Sequence, residues 1–245
     1  MGIEKIPRGI RIGLAAAGLV GISAGLIALA QKKGRHGMGG LQVMPAVVPD
    51  SMDEVLAKFE KYLRDQAPDV LTELQPGLSE AEIVALEAKY GVKLVGDIRT
   101  LYKWRNGSND RGINAVPNHR FVPLGEALEM RALLISQTKA VGPLMQMLVG
   151  GAATDKMKWV PVFVDLAGDG FHYDPSVREE AGAFFYNFLE VGEYVHYPSV
   201  RNYVAEVLAA ARVGIVKVER DGLICSDYEK AYSIRMRYGR ISTGS

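Results

Sequence analysis

The sequence has a single cysteine, Cys225, among its 245 residues. One cysteine excludes an internal disulfide framework and a zinc site built from several thiolates. A thiol nucleophile needs a nearby base, and Cys225 lies between Ile224 and Ser226 in a chain with four scattered histidines. We therefore interpret Cys225 as a small, buried apolar side chain.

The chain also has little net charge, because 29 basic residues face 28 acidic ones. Residues 1–40 hold six basic residues and one acidic residue, a net charge of +5, which leaves 23 basic and 27 acidic residues, a net charge of −4, for the remainder. A soluble part that is net negative gives no electrostatic reason to bind nucleic acid. We expect no nucleic-acid partner.

Several common catalytic and cofactor motifs are missing from the sequence. It contains neither GxxxxGK[ST] nor a GxGxxG between a strand and a helix, which are the usual signatures of phosphate and dinucleotide binding. It also lacks the HExxH of zinc peptidases and the GxSxG of serine hydrolases. We therefore expect no cofactor and no resident metal.

One long uncharged run, residues 12–30, lies near the N-terminus. Its 19 residues would span about 28 Å as a helix, close to the thickness of a bilayer core. A cleaved signal peptide is the alternative, with Ala28-Leu29-Ala30 as the cleavage site. The run is longer than a typical signal core and basic residues follow it at once, so the pattern predicts an uncleaved, single-pass membrane anchor.

The anchor prediction leaves the side of the membrane open, because three basic residues lie on each side of the run: Lys5, Arg8 and Arg11 before it, and Lys32, Lys33 and Arg35 after it. Gly21 and Gly25 form a GxxxG match that suits a weak homodimer of anchors. Residues 34–50, which are rich in Gly and Pro, predict a flexible linker. The predicted organisation is thus an anchor over 1–33, a linker over 34–50 and a domain over 51–245.

Two capping boxes predict the first helices of this domain. Ser51 with Glu54 and Ser79 with Glu82 each precede a run with helical periodicity. Gly91 suits the left-handed residue that ends the second helix. Further helices are predicted over residues 96–105 with Asn106-Gly107 as their end, over 125–149 with a break at Gly142-Pro143, over 199–212, and in the last thirty residues.

Short β-branched or aromatic runs between turn residues predict strands. They comprise residues 120–124, 158–164, 171–173, 183–188, 194–196 and 215–218. Because helices and strands are segregated along the chain, the pattern favours an α+β fold whose mainly antiparallel sheet is flanked by helices.

Residues 159–174 comprise an apolar run, an Asp/Gly loop and an aromatic run. Asp165, Asp169 and Asp174 together with His172 could bind a divalent metal and activate water, as in a metal-dependent hydrolase. The spacing misses the EF-hand pattern, however, and the glycines of Gly168-Asp169-Gly170 suit the positive φ angles of a tight turn. We favour a structural hairpin without metal.

Three arginines, Arg235, Arg237 and Arg240, make the C-terminus basic. Such a cluster could contact lipid headgroups or nucleic acid. We interpret it as a short, unstructured tail with solvated charges.

Taken in order, several segments resemble the SUKH superfamily, in particular its branch that includes the fungal Smi/Knr cell-wall regulators and bacterial immunity proteins. The resemblance covers residues 74–212. It is carried by LSEAEI with YGVKL over 78–94, by LYKWRNG over 101–107, by FVPL over 121–124, by the GDG-containing segment 159–174, and by the helix from Ser199.

This resemblance implies a non-enzymatic domain that binds another protein, either an immunity protein that docks on a cognate toxin or a regulatory scaffold of the cell envelope. Combined with the predicted anchor, it implies a membrane-tethered binding protein. The turns that carry exposed aromatic, amide and acidic candidates are then the expected contact face for the partner: Trp104, Asn106, Gly107, Trp159, Asp165, Asp169 and Asp174.

Overall fold

The computed structural model describes residues 49–109, 112–140, 158–166, 168–176, 184–187 and 193–243, with the side chains of 137–140, 185–187, 193–196 and 240–243 left out. All of them belong to one compact unit, Pro45–Ser245. Across this part of the chain, no helix is long and apolar enough to cross a membrane. The predicted anchor, its GxxxG match and most of the predicted linker lie outside the described residues, and so does the predicted break at Gly142-Pro143.

Helices and strands are only partly segregated along the described residues, contrary to the sequence prediction: short strands lie between the early helices, and helices lie between the later strands. The helices are α1 Met52–Gln66, α2 Pro68–Glu73, α3 Glu80–Tyr90, α4 Asp97–Trp104, α5 Leu124–Ala140, α6 Val200–Arg212 and α7 Tyr228–Tyr238. The strands are β1 Leu74–Pro76, β2 Arg105–Ser108, β3 Arg120–Phe121, β4 Val160–Val164, β5 Gly170–Tyr173, β6 Phe184–Asn187, β7 Glu193–Tyr197, β8 Val216–Glu219, β9 Gly222–Cys225 and β10 Arg240–Thr243.

The main sheet has six strands in the order β10-β7-β6-β5-β4-β3. Every neighbouring pair in it is antiparallel. Two smaller sheets, β1-β2 and β8-β9, are also antiparallel pairs. The predicted α+β fold with a mainly antiparallel sheet is therefore confirmed.

Helix α6 packs its aromatic side chain into one face of the main sheet. The Tyr203 ring stacks on the Phe171 ring of β5 with 3.8 Å between centroids, and Phe163 and Phe184 surround the pair at 5.6 and 5.9 Å from Tyr203. All four rings are buried. Each aromatic side chain buries a large apolar area, so this cluster holds α6 against strands β4, β5 and β6.

Both predicted capping boxes are present. The Ser51 and Ser79 side chains accept hydrogen bonds from the backbone of Glu54 and Glu82, whose carboxylates accept in return from the serine backbone. Gly91 ends α3 with φ of 62°, as the sequence predicts. These signals depend on contacts within about one helical turn, so they can be predicted without knowledge of the fold.

Two predictions about α4 and β3 were wrong in their boundaries. Asn106-Gly107 does not end a helix in a turn, because α4 stops at Trp104 and both residues belong to β2. Strand β3 stops at Phe121 rather than at Leu124, since Leu124 begins α5 and its backbone N–H donates to the Asn106 side chain at 3.0 Å.

The predicted unstructured tail was also wrong. Arg235 and Arg237 lie in α7, whose N-terminus is capped by the Asp227 side chain, and Arg240 begins β10 at the edge of the main sheet. The Arg235 Nε donates to the buried Glu206 of α6 at 3.2 Å. This ion pair between α7 and α6 attaches the segment to the domain. Local sequence could not show it, because the partner lies on another helix.

Candidate functional site

The β4-β5 connection is a short loop that is closed by hydrogen bonds between its own residues. The Asp165 N–H donates to the Asp169 carbonyl at 2.9 Å, and the Asp169 N–H donates to the Asp165 carboxylate at 3.0 Å. Gly168 has φ of 92°, the conformation the turn requires. We call Asp165, Leu166, Gly168 and Asp169 the hairpin tip.

The second glycine of the GDG sequence, Gly170, is required for a different reason from the positive φ angle that the sequence predicts. Gly170 does not have a positive φ, and it begins β5. A Cβ atom at Gly170 would lie 2.0 Å from the Phe163 carbonyl oxygen. The residue is needed because β4 approaches it closely.

Leu166 is the most exposed large apolar side chain among the described residues, with 93% of its surface accessible. It stands at the tip between Asp165 and Asp169, which are partly exposed. Sequence reasoning missed it, although an apolar residue within an Asp/Gly turn was a visible signal. A single leucine exposed this far on a turn is accessible to a partner.

Asp174 lies at the other end of the same hairpin. Strand β5 separates it from Asp169, and its carboxylate accepts hydrogen bonds from the Ser176 N–H at 2.8 Å and the Ser176 hydroxyl at 2.7 Å. Trp159, which is buried, precedes β4 at that same end, since Val160 pairs with Tyr173. Asp165 and Asp169 therefore lie at one end of the hairpin and Asp174 at the other, so the three aspartates of the alternative metal site do not meet on one connection.

His172 contacts a backbone carbonyl rather than a carboxylate among the described residues. Its Nδ1 lies 3.0 Å from the Gly170 carbonyl, and burial lowers the pKa of His172 to about 4. A neutral, partly buried imidazole bonded to backbone is typical of a structural histidine. Within the described residues no group of three or more His, Cys, Asp or Glu side chains could hold a metal ion.

The remaining predicted contact residues make bonds inside the domain. The Trp104 indole N–H donates to Glu60 at 2.6 Å, and its ring packs 6.0 Å from the Phe59 ring. Trp104 keeps part of its surface at a groove of 480 Å³ beside α1. The tryptophan thus joins α4 to α1 and also borders open space.

Asn106 and Gly107 connect β2 to the start of α5. The Asn106 amide oxygen accepts from the Leu124 N–H, and its amide nitrogen donates to Gln75 at 3.4 Å. Gly107 is buried with φ of 82°, and a Cβ there would lie 2.4 Å from the Pro123 nitrogen. Both residues build the fold at this point, so their role in partner contact stays a prediction.

The structure thus divides the seven predicted contact residues into three places. Trp104, Asn106 and Gly107 lie at the α4-β2 junction, Asp165 and Asp169 at the hairpin tip, and Trp159 and Asp174 at the opposite end of the hairpin. Of these places, the tip alone combines partly exposed carboxylates with a fully exposed leucine.

A buried polar cluster that sequence reasoning did not find joins β7, α6 and α7. The Tyr197 hydroxyl donates to the Glu206 carboxylate at 2.6 Å, and Arg235 binds its other oxygen. Burial raises the pKa of Glu206 above its usual value and that of Tyr197 likewise. Every polar atom of Glu206 has a protein partner, which marks the cluster as structural rather than catalytic.

Cys225 lies in β9, partly buried and packed against the core.

Comparison of the chain with known protein families and with curated proteins gives no match.

Proposed function

We propose that this protein is a membrane-tethered, non-enzymatic domain of the SUKH type that binds another protein, and that it acts as an immunity protein against a toxin. The observation that carries the proposal is the order of elements over residues 74–212. The segments that carry the resemblance form helices α3 and α4, strand β3, the β4-β5 hairpin and helix α6 in that order, with β2, α5, β6 and β7 between them, and this order supports the proposal.

The hairpin tip is the contact surface of this proposal. A leucine with 93% exposure lies between two carboxylates on a turn that is closed by one backbone–backbone and one backbone–carboxylate hydrogen bond, and it offers an apolar anchor with an acidic rim. Interfaces commonly place an apolar anchor within a polar surround, and a rigid turn loses little entropy on binding. The partner expected at this surface has an apolar pocket bordered by basic side chains.

The test begins with the reading frame that neighbours the gene, expressed alone and together with this chain. Growth arrest by the neighbour that is relieved by this chain supports the immunity function. A neighbourhood of cell-wall genes without a toxic product would instead favour the envelope regulator. If this chain fails to relieve the toxicity of its neighbour, the immunity proposal is wrong.

Contact at the tip is tested on the same pair with purified proteins. Leu166→Asp is expected to weaken binding at least tenfold. Val84→Asp is the matched control, because Val84 is an exposed valine on α3 with 49% accessibility. Equal affinities for both variants and the native chain would remove the tip from the interface.

A further inference from the structure

A groove of 780 Å³ lies between the C-terminal halves of α1 and α6 and strand β8. Four basic residues, Lys58, Lys61, Arg212 and Lys217, line it with a single acidic one, Asp65. Its floor includes apolar surface from Leu208, Val216 and Val218. A net positive, partly apolar groove is unexpected on a part of the chain that carries net negative charge.

The cations at the β8 end of the groove are available to a ligand. Lys58 pairs with Asp50 and Lys61 with Asp65. Arg212 and Lys217 form no ion pair with any residue that the structure describes. Both are exposed.

Strand β8 also offers unused backbone groups. Opposite Val218 and Val216 in the β8-β9 pair stand Leu223 and Cys225, whose N–H groups donate away from β8, to Asn114 and Asn118. Opposed residues of an antiparallel pair direct their backbone groups to the same side of their strands, either both inward or both outward. The N–H and C=O groups of Val216 and Val218 therefore point away from β9, and no described residue bonds to them.

The two edges of this small sheet consequently differ. The outer edge of β9 is covered by residues 114–118, whereas no described residue pairs with the outer edge of β8. This edge is accessible at Val218, which is 43% exposed, while Val216 is buried at the end nearer the core. We propose that β8 is a docking site for an acidic, extended segment of a partner protein, which adds as a strand to β8 while its carboxylates meet Arg212 and Lys217. This site shares no residue with the hairpin tip.

Charge and length decide among the possible occupants. A second copy of β8 would place Lys217 against Lys217, and charged, four-residue edges resist pairing with themselves. The chain's own residues 34–48 hold Arg35 and His36 and no acidic residue, so they do not match the groove. Lipid headgroups match its charge but cannot continue a ladder of backbone hydrogen bonds.

The experiment uses the full chain in non-ionic detergent and a fluorescent eight-residue peptide in which Glu and Val alternate. We expect a Kd below about 100 μM that weakens at least tenfold between 50 and 300 mM salt, because exposed charges are screened. A peptide with Lys in place of Glu and an N-methylated acidic peptide should each bind at least tenfold more weakly. Soluble dihexanoyl phosphatidylglycerol is the lipid probe.

Hydrogen exchange locates the binding. The Val218 amide should exchange at least tenfold more slowly with the acidic peptide, while those of Lys217 and Glu219, which face β9, should not change. The paired substitution R212Q/K217Q should weaken binding at least tenfold, and K89Q/K93Q, which removes the same charge on α3 and the residues that follow it, should not. Val218→Pro removes one outward N–H and should also weaken binding.

Equal binding of the Lys peptide, unchanged exchange at Val218, or binding of phosphatidylglycerol without the peptide would overturn the proposal. Since hydrogen exchange uses the native chain, a variant that fails to fold leaves the test intact. The Leu166→Asp variant should keep its affinity for the peptide, so failure at the tip and failure at β8 are separate results.

Discussion

Arg235 of α7 donates a hydrogen bond from Nε to Glu206 of α6 at 3.2 Å, and the glutamate has only 6% of its side chain exposed. This pair, with the Tyr197 hydroxyl on the other carboxylate oxygen, connects the last helix to the helix that covers the main sheet. The ion pair with the buried Glu206 thus attaches the segment after residue 226 to the rest of the domain.

Replacing Arg235 by Met should lower the free energy of unfolding by about 3 kcal/mol, because it leaves a buried carboxylate without its cation. Urea denaturation measures the change. Arg237→Met on the exposed side of the same helix should cost less than about 0.5 kcal/mol. Adding Glu206→Gln to the first variant should restore part of the loss, and equal effects at both arginines would contradict the structural role.

His172 should make the domain less stable in acid. Its pKa is lowered from 6.5 to about 4 by burial, so between these values the unfolded chain binds more protons than the folded one. The stabilisation is fully present above pH 6.5 and is lost as the pH falls toward 4, by about 3 kcal/mol at most. Burial lowers the pKa of His119 as well, which acts in the same direction.

Urea midpoints between pH 7 and pH 4 test this dependence, with His172→Phe as the variant. The slope of unfolding free energy against pH should be smaller in the variant than in the native chain. Identical slopes would show that His172 titrates normally in the folded state.

Substitution of glycines by alanine should separate crowding from backbone conformation. Gly170→Ala should cost more than about 3 kcal/mol, because its Cβ would overlap the Phe163 carbonyl. Gly91→Ala has open space around the Cβ but a φ of 62°, so about 1 kcal/mol is expected. Thermal or urea unfolding gives both values, and equal costs would contradict the close approach of β4 and β5.

Residues 12–30 are predicted to anchor the domain without contributing to its fold. A chain that begins at Pro49 should then be soluble and unfold cooperatively, and the full chain should sediment with membranes and resist carbonate extraction. Aggregation of the shortened chain would contradict this separation. Mature protein that begins at Gln31 would instead establish a cleaved signal peptide.

The hairpin that carries much of the candidate site could be predicted from the sequence, because hairpins have a local sequence signal. Trp159 to Asp174 was predicted as two strands around an Asp/Gly loop, and the loop was found where expected. Which side chains meet was not predictable. Asp169 and Asp174 are five residues apart in sequence, but a strand lies between them and places them at opposite ends of the hairpin.

The β8-β9 hairpin shows the same division in another way. Its first strand was predicted, and Asp221-Gly222 between two apolar runs was a usable signal for the second. Which edge of the hairpin is covered was not visible locally, because residues 114–118, far earlier in the chain, bond to β9 and not to β8.

Local sequence alone predicts the helix starts at Ser51 and Ser79, the left-handed end at Gly91 and the succession of short strands, because capping bonds and glycine conformations act within about four residues. The tertiary structure decided the strand order, the use of Asn106 to begin α5, and the burial of Arg235 against Glu206. Those outcomes depend on contacts between residues 18 and 29 positions apart, whose free energy comes from the burial and pairing of groups that no local pattern brings together.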